Sequence, residues 1–326
     1  MLLEMTDEKA RRMLELSHSL HWDFPSSQGT PIIKGHAKSQ QVERAAKDRE
    51  SYLDAARVLL EKGDEESAIE IASNAWRLWV VARDIEGGRK FLAAVLDKGE
   101  KKPSRARSLA LYGDALLAFR QGKIEESRER SQAALDVALA VSDQEALTLA
   151  YLAESRIAFE DGDYDKSLTF AVKAREFARN LAPAMGQAPL FLHASATRMT
   201  GDYDQAAALF EQSLDLNRKI SDPGMVRAEL QNIGLIEIHR GNVDAAERYF
   251  AESERLGQAN DPYSIAMTHL YRSAIEFVRG NRDRSRALLR RAQSVLKEAK
   301  IDAAPDDQFE IDWLQTQLTK AAENND

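Results

Sequence analysis

Histidine, arginine and carboxylate side chains are the groups in this sequence that could do chemistry, and few of them cluster along the chain. Of the six histidines, His18, His21 and His36 lie near one another, together with Asp23. Imidazole and carboxylate groups can bind a metal ion. Because this spacing matches no known ligand pattern, we favour surface histidines in a loop. We expect neither a metal site nor another cofactor.

Catalytic motifs are also lacking in the sequence. The chain has no cysteine, so thiolate chemistry is not available. Serine, histidine and acidic residues are common, but none lies in a nucleophile elbow or similar local context. The nearest approach to a nucleotide-binding loop is the segment 29–35, which lacks the final Lys-Ser/Thr pair. We therefore expect a protein that is not an enzyme.

Charge patterning sets limits on the partners. The net charge is −8 with both signs interspersed, which disfavours general affinity for nucleic acid or anionic membranes. The segment 279–291 holds six arginines and one acid and could bind phosphate, but Leu288 and Leu289 fit an ordinary amphipathic helix, so a solvated face is favoured. No stretch has the roughly 18 apolar residues of a membrane span. We expect a cytoplasmic protein without a membrane partner.

A regular series of glycines indicates the elements that must position any site. The glycines are Gly122, Gly162, Gly201, Gly241 and Gly280, spaced 40, 39, 40 and 39 residues apart. A period of this length is typical of a solenoid, in which each unit buries its apolar face against its neighbours. A left-handed glycine would end the first helix of each unit. Asp163, Asp202, Asn242 and Asn281 could then cap the second helix, whereas Lys123 could not.

Small residues recur at three fixed distances from these glycines. They lie seven residues before the glycine (Ala115, Ser155, Ala194, Gly234, Ser273), five after it (Ser127, Ser167, Ala206, Ala246, Ser285) and twelve after it (Ala134, Ala174, Ser213, Ser253, Ala292). Small side chains at matching positions let two antiparallel helices approach closely. The pattern therefore predicts helical hairpins in tandem.

The ends of the array depart from this pattern. One unit earlier, Arg83 replaces the glycine and Trp76 takes a small position, so this hairpin should pack differently on its N-terminal side. We predict an all-α, right-handed superhelical solenoid of about six hairpins. Its expected parts are an N-terminal helix and mobile arm (1–45, with a loop over 21–38), the repeats (46–304, beginning with helices near 46–62 and 66–82) and a capping helix with a tail (305–326).

The motifs at 162–165 and 201–204, both Gly-Asp-Tyr-Asp, resemble the tetratricopeptide repeat. The units are about five residues longer than the standard 34. That length is similar to the repeats of maltose-regulator-like and LuxR-type ATP-dependent bacterial transcriptional regulators. The Trp-containing stretch 52–92 also resembles the segment that joins the ATPase region of those proteins to their repeats. The resemblance spans about 48–300 and implies a stand-alone sensor or docking module, since no nucleotide loop or helix-turn-helix accompanies it.

The same resemblance implies which residues face the groove of the repeats. They are Tyr112, Phe119, Arg120, Arg156, Phe159, Phe191, Arg198, Gln231 and His239. Arginines among aromatic residues would suit a peptide or protein partner with acidic groups. The alternative is that the phenylalanines are hairpin core and the arginines are solvated. Two further functional hypotheses are an effector-sensing regulator of a separate ATPase or DNA-binding chain, and a module that self-associates into a homo-oligomer.

Overall fold

The structure, a computed structural model, describes residues 5–20, 36–98, 101–256 and 261–323. All regular elements in these ranges are helical. The α-helices are α1 (Asp7–His18), α2 (His36–Lys47), α3 (Arg49–Glu61), α4 (Glu65–Ala75), α5 (Arg77–Val81), α6 (Ile85–Leu96), α7 (Arg105–Arg120), α8 (Ile124–Val141), α9 (Gln144–Glu160), α10 (Tyr164–Ala178), α11 (Gln187–Met199), α12 (Tyr203–Ile220), α13 (Pro223–His239), α14 (Val243–Leu256), α15 (Pro262–Val278), α16 (Arg282–Ala299) and α17 (Pro305–Glu323). A short 3₁₀ helix (Pro183–Gly186) precedes α11.

The predicted all-α fold of tandem hairpins is confirmed. Consecutive helices pair in the order that the glycine series predicts, as in α7 with α8, α13 with α14 and α15 with α16. The chain divides into two compact units. The first contains 1–161 and 166–192, and the second contains 162–165 and 193–326. Each unit has its own apolar core, so the two are described separately.

The turns inside the hairpins adopt the left-handed backbone conformation that the glycines predict. Gly122 has φ +71° and Gly280 has φ +84°. Arg83, which replaces glycine in the first hairpin, also has a positive φ of +58°. The turn geometry therefore continues one unit beyond the glycine series, and only the residue type changes there.

Helix capping follows the prediction in part. The Asp202 carboxylate accepts a hydrogen bond from the backbone N–H of Gln205 at 3.0 Å, and Lys123 makes no side-chain cap. The prediction for Asn281 is wrong, because its side chain does not cap α16. Its amide nitrogen instead donates to the Glu276 carboxylate at 2.7 Å, which draws the side chain away from the helix end.

The small residues lie where paired helices touch. The hydroxyl groups of Ser155 and Ser167 donate to each other's carbonyl oxygens at 2.8 and 2.9 Å. Ser273 and Ser285 form the same reciprocal pair, also at 2.8 and 2.9 Å. A short hydroxyl at these positions thus bonds the partner helix without holding the backbones apart.

Gly234 shows how the same crossing accommodates a large partner. A β-carbon at this position would lie only 2.5 Å from the ring of Phe250 on α14. The Phe250 ring fills that space and stacks on Tyr271, with ring centroids 4.6 Å apart. The large ring of Phe250 on α14 therefore fills the volume left by the missing side chain of Gly234 on α13.

The Trp-containing segment at the start of the repeats differs from the expectation in two respects. The helix predicted over 66–82 is interrupted at Trp76, which separates α4 from α5. The fully buried indole packs on α7, on the C-terminal side of its hairpin, where it lies edge-on to Tyr112. Gly113 makes this possible, since a β-carbon there would lie 2.8 Å from the indole.

The N-terminal segment contains more helix than predicted. α1 forms within the expected range and packs on α3 and α4. The segment 36–38, predicted as the end of a loop, is the first turn of α2, and the helix predicted over 46–62 is divided at Asp48 into α2 and α3. Residues 21–35 of the predicted loop lie outside the described residues. Within the described ranges, every helix is too short or too polar to cross a membrane.

Substitutions at the turns test the left-handed geometry. Gly122→Ala should lower the free energy of unfolding by about 1 kcal/mol, because a side chain disfavours positive φ and the β-carbon would otherwise meet no atom within 4 Å. Arg83→Gly should raise it by a few tenths of a kcal/mol, because relief at φ +58° exceeds the added entropy of the unfolded chain. Urea unfolding followed by circular dichroism measures both. A loss of stability in Arg83→Gly similar to that in Gly122→Ala would contradict this account.

Candidate functional site

In the first unit, the predicted groove residues divide between the core and the surface. Tyr112 is buried against Trp76. Phe159 is also buried, and Phe191 is half-buried on the apolar core. These aromatic side chains contribute to packing, and they do not form one continuous exposed strip.

Two arginines of the first unit come together beside an aromatic ring. The Arg156 guanidinium lies 5.9 Å from the centre of the Phe119 ring, within the range of a cation–π contact. Partial burial, followed by the positive charge of Arg156, lowers the pKa of Arg120. The two positive charges are thus close enough to repel each other.

In the second unit, two predicted groove residues converge on one carboxylate. Arg198 at the end of α11 and His239 at the end of α13 both contact Glu310 of α17. The guanidinium Nη1 of Arg198 donates to Glu310 Oε1. His239 Nε2 lies 2.9 Å from Oε2 and 3.2 Å from Oε1 of the same carboxylate. Arg198 is 2% and Glu310 1% exposed, so this is a buried ion pair.

Further groups on α17 extend this contact. Arg198 Nη2 donates to Asp306 at 3.3 Å, so one guanidinium binds two carboxylates one helical turn apart. Burial alone would lower the pKa of Arg198. The negative charges of Glu310 and Asp306 have the larger combined effect and raise it. The Tyr263 hydroxyl donates to Asp307 at 2.6 Å and accepts from the backbone N–H of Ala304.

Aromatic rings enclose the imidazole. The Tyr203 ring stacks on His239 with centroids 4.9 Å apart, and Trp313 meets His239 edge-on at 4.5 Å. The Phe277 ring of α15 meets Trp313 edge-on, with ring centroids 5.7 Å apart. We call Arg198, Tyr203, His239, Tyr263 and Phe277 the acidic-helix site, because together they hold α17 through its carboxylates and its indole. Gln231, also predicted to face the groove, is half-buried on α13.

A second buried carboxyl group of this unit lies between α12 and α13. Glu229 is fully buried and accepts hydrogen bonds from the Ser213 hydroxyl and from the Asn217 amide, the latter at 3.0 Å. Burial raises the pKa of Glu229 to about 8, and burial together with Asp306 raises the pKa of Asp307 to about 7. Both groups are thus substantially protonated near neutral pH.

The other charged groups that the sequence singles out form surface contacts. His18 lies 2.9 Å from Glu70, while His21, Asp23 and the side chain of His36 lie outside the described residues. No group of three or more His, Asp or Glu side chains suited to a metal ion occurs in the described part of the chain. In the arginine-rich segment, Arg279 pairs with Glu247 at 2.8 Å, as expected of a solvated helix face.

The sequence reasoning missed the residues of α17 that complete the site. It predicted a capping helix within 305–326, and α17 does pack on α15 and α16. It assigned no role to Asp306 or Glu310. A signal was present, since two acids four residues apart share one face of a helix.

No protein-family model matches the chain, and no curated protein matches it. Solved structures share its fold. NprR in complex with its cognate peptide NprX has a TM-score of 0.61 at 18% identity, over 96% of this chain and 83% of that one. A tetratricopeptide repeat protein from Parabacteroides merdae has a TM-score of 0.51 at 14% identity, over 96% and 99%.

A third similar structure combines an ATPase with tetratricopeptide repeats in one protein. It is a signal transduction ATPase with a tetratricopeptide repeat sensor from Pyrococcus horikoshii, with a TM-score of 0.54 at 16% identity. The match covers 80% of this chain but 45% of that one. At these identities the comparisons establish the fold, which is that of tetratricopeptide repeat proteins.

Removing the buried cation should destabilise the second unit. Arg198→Met leaves Glu310 and Asp306 without their guanidinium, and breaking a buried ion pair from one side costs about 3 kcal/mol or more. The matched control is Arg240→Met, whose pairs with Asp204 and Glu237 lie at the surface and should contribute less than about 1 kcal/mol. Urea unfolding curves compare the two. Equal losses would show that the Arg198 pair is no stronger than a surface contact.

The raised carboxyl pKa values predict a pH dependence with a definite sign. Between about pH 4.5 and 7 the folded protein retains protons on Asp307 and Glu229 that the unfolded chain has released, so the free energy of unfolding should fall as pH rises. A loss on the order of a few kcal/mol is expected. Burial lowers the pKa of His269, which acts in the opposite direction.

Urea midpoints at pH 5, 6, 7 and 8 measure this dependence. The double variant Asp307→Asn with Glu229→Gln should show a much flatter profile, because amides replace the two groups that titrate. A wild-type midpoint that rises steadily from pH 5 to pH 8 would contradict the assignment.

Proposed function

We propose that this protein is a non-catalytic module that binds a protein or peptide through carboxylate groups of its partner. The observation that supports this most directly is the meeting of Arg198 and His239 on Glu310. The resemblance to tetratricopeptide repeats implies that both residues face the groove, and both hold an acidic helix in the structure. The sequence thus suggests a ligand with acidic groups, and in the structure both side chains contact a carboxylate.

The chemistry of the site favours acidic partners over neutral ones. A guanidinium presents its donors in a planar fork, which Arg198 uses to contact two carboxylates at once. Because the group is almost fully buried, a neutral occupant would leave its charge without compensation, at a large cost. The acidic-helix site therefore selects by charge as well as by shape.

The first unit has related chemistry on the first helices of two of its repeats. Arg120 is the last residue of α7, and Arg156 lies four residues before the end of α9, with its guanidinium 5.9 Å from the centre of the Phe119 ring. Their mutual repulsion lowers the pKa of Arg120 after the effect of burial. We propose that these arginines also receive acidic groups of a partner.

The similar structures are consistent with this proposal. NprR was solved with a cognate peptide, and the repeats of the Pyrococcus horikoshii protein are described as a sensor. The second likeness also favours an alternative, in which this chain senses an effector and acts on a separate ATPase or DNA-binding partner. Thermal-shift screening separates the two, since the alternative predicts stabilisation by small metabolites and the leading proposal predicts stabilisation by peptides.

Arginine substitutions in the first unit test the leading proposal. Affinity purification from the native host, with mass spectrometry, would identify proteins retained by the wild type. The double variant Arg120→Ala with Arg156→Ala should lose these partners, and purified partner fragments should bind it at least tenfold more weakly. The matched control is Arg290→Ala with Arg291→Ala, which removes two exposed arginines of α16 and should keep wild-type binding. Equal binding by all three proteins would refute an acidic-partner site in the first unit.

A further inference from the structure

The final helix is not held only by its neighbours in sequence. In a stack of hairpins, each unit contacts the units next to it. α17 follows α16, yet Glu310 bonds Arg198, which lies 112 residues earlier on α11. Glu310 also contacts His239 on α13, and Asp307 contacts Tyr263 on α15. α17 therefore reaches the first helices of three successive hairpins of the second unit.

The docked face of α17 has a defined residue pattern. Its two Arg198-bound carboxylates, Asp306 and Glu310, are four residues apart and so lie on one side of the helix. Ile311, Leu314 and Leu318 continue along the helix and are all buried, at 2%, 0% and 4% exposure. The charged end thus fixes the position of the helix, and the apolar residues supply most of the buried area.

The receiving face requires an acidic occupant. The Arg198 side chain is 1% exposed, and its Nε is buried without a hydrogen-bond partner. An isolated guanidinium in that position would lose its hydration without compensation. Whichever helix lies on this face, it must bring a carboxylate to Arg198 and His239.

We propose that α17 is an intramolecular occupant of the acidic-helix site, and that an acidic amphipathic helix of a partner protein displaces it. The inference rests on the proposed function. The partner helix carries carboxylates at positions i and i+4 and apolar residues at i+5, i+8 and i+12, as α17 does from Asp306 to Leu318. Charge complementarity with Arg198, together with hydrogen bonding to His239, selects such a helix over a basic or neutral one.

Tethering makes α17 a strong competitor. The connection from Lys300 to Pro305 is short, and a short tether gives a local concentration in the millimolar range. A free helix of equal intrinsic affinity therefore binds the wild-type chain weakly. Weakening the α17 contacts should increase the apparent affinity of the partner helix by the same factor by which α17 is released.

The test uses the full chain and one matched pair of substitutions. Glu310→Lys places a second cation beside the buried guanidinium of Arg198 and should release α17. Asp312→Lys makes the same change of charge on the same helix at an exposed position and should leave α17 docked. Glu310→Gln provides a milder release if the lysine variant folds poorly, and circular dichroism verifies the helix content of all three.

Two measurements report the outcome. Hydrogen exchange over 305–320 reports whether α17 is docked, and fluorescence anisotropy measures binding of a labelled peptide with the sequence of residues 303–320. We expect Glu310→Lys to exchange faster over 305–320 and to bind the peptide at least tenfold more tightly than the wild type. Asp312→Lys should match the wild type in both respects. Adding Arg198→Met to Glu310→Lys should abolish the gained binding. A peptide with lysine in place of both Asp306 and Glu310 should not bind.

The unfavourable outcomes separate the two proposals. If α17 stays protected in Glu310→Lys and Glu310→Gln, its carboxylate does not hold it in place and the displacement proposal is wrong. If α17 is released but no peptide binds, the acidic-helix site does not accept a helix from outside, and the proposed function fails at this face. If the wild type binds the peptide as tightly as Glu310→Lys while α17 stays protected, acidic-peptide binding stands but displacement does not.

Discussion

Close contact between the two helices of each hairpin is the constraint on which the rest of this structure depends. Small residues at three positions per repeat allow the backbones to approach, and reciprocal serine hydrogen bonds such as Ser155 with Ser167 fasten two of the crossings. The crossings recur every 39 or 40 residues, so the first helices of successive hairpins present equivalent positions at regular intervals. Arg198 and His239 lie at adjacent positions of this register, three and two residues before the glycines of successive units, and they converge on one carboxylate.

Much of the fold was predictable because it is repeated. Each glycine indicates the same left-handed turn between two helices. The 39- to 40-residue spacing still locates that turn where another residue replaces glycine, as at Arg83 with its positive φ. Single events were harder to predict. The interruption at Trp76 depends on the space left by Gly113 on another helix, and the failure of Asn281 to cap depends on Glu276. The Trp76 contact departs from the small-residue pattern of the other units. The Asn281 contact recurs one unit earlier, where the Asn242 amide donates to the Glu237 carboxylate at 2.8 Å, and in both units the glutamate lies four residues before the glycine.

The candidate site was predictable from one side only. The repeat register places Arg198 and His239 on the receiving face, whereas α17 lies outside the register, so nothing in the spacing relates Glu310 to them. The apolar residues of α17 indicate a covered helix without showing where it docks. A charged pair formed across 112 residues is a property of the folded chain. The role of Glu310 can be recognised only once folding has brought Arg198 and His239 to it.

The pairing of Gly234 with Phe250 defines the smallest part of this protein that could be exchanged as a unit. The two residues belong to the two helices of one hairpin, and the ring occupies the volume that the missing side chain leaves. Moving α13 alone into another repeat would create a void, and moving α14 alone would create a clash. Moving the whole hairpin keeps Gly234 and Phe250 together. In recombination between repeats, whether natural or engineered, crossover points should therefore fall between hairpins and not inside them.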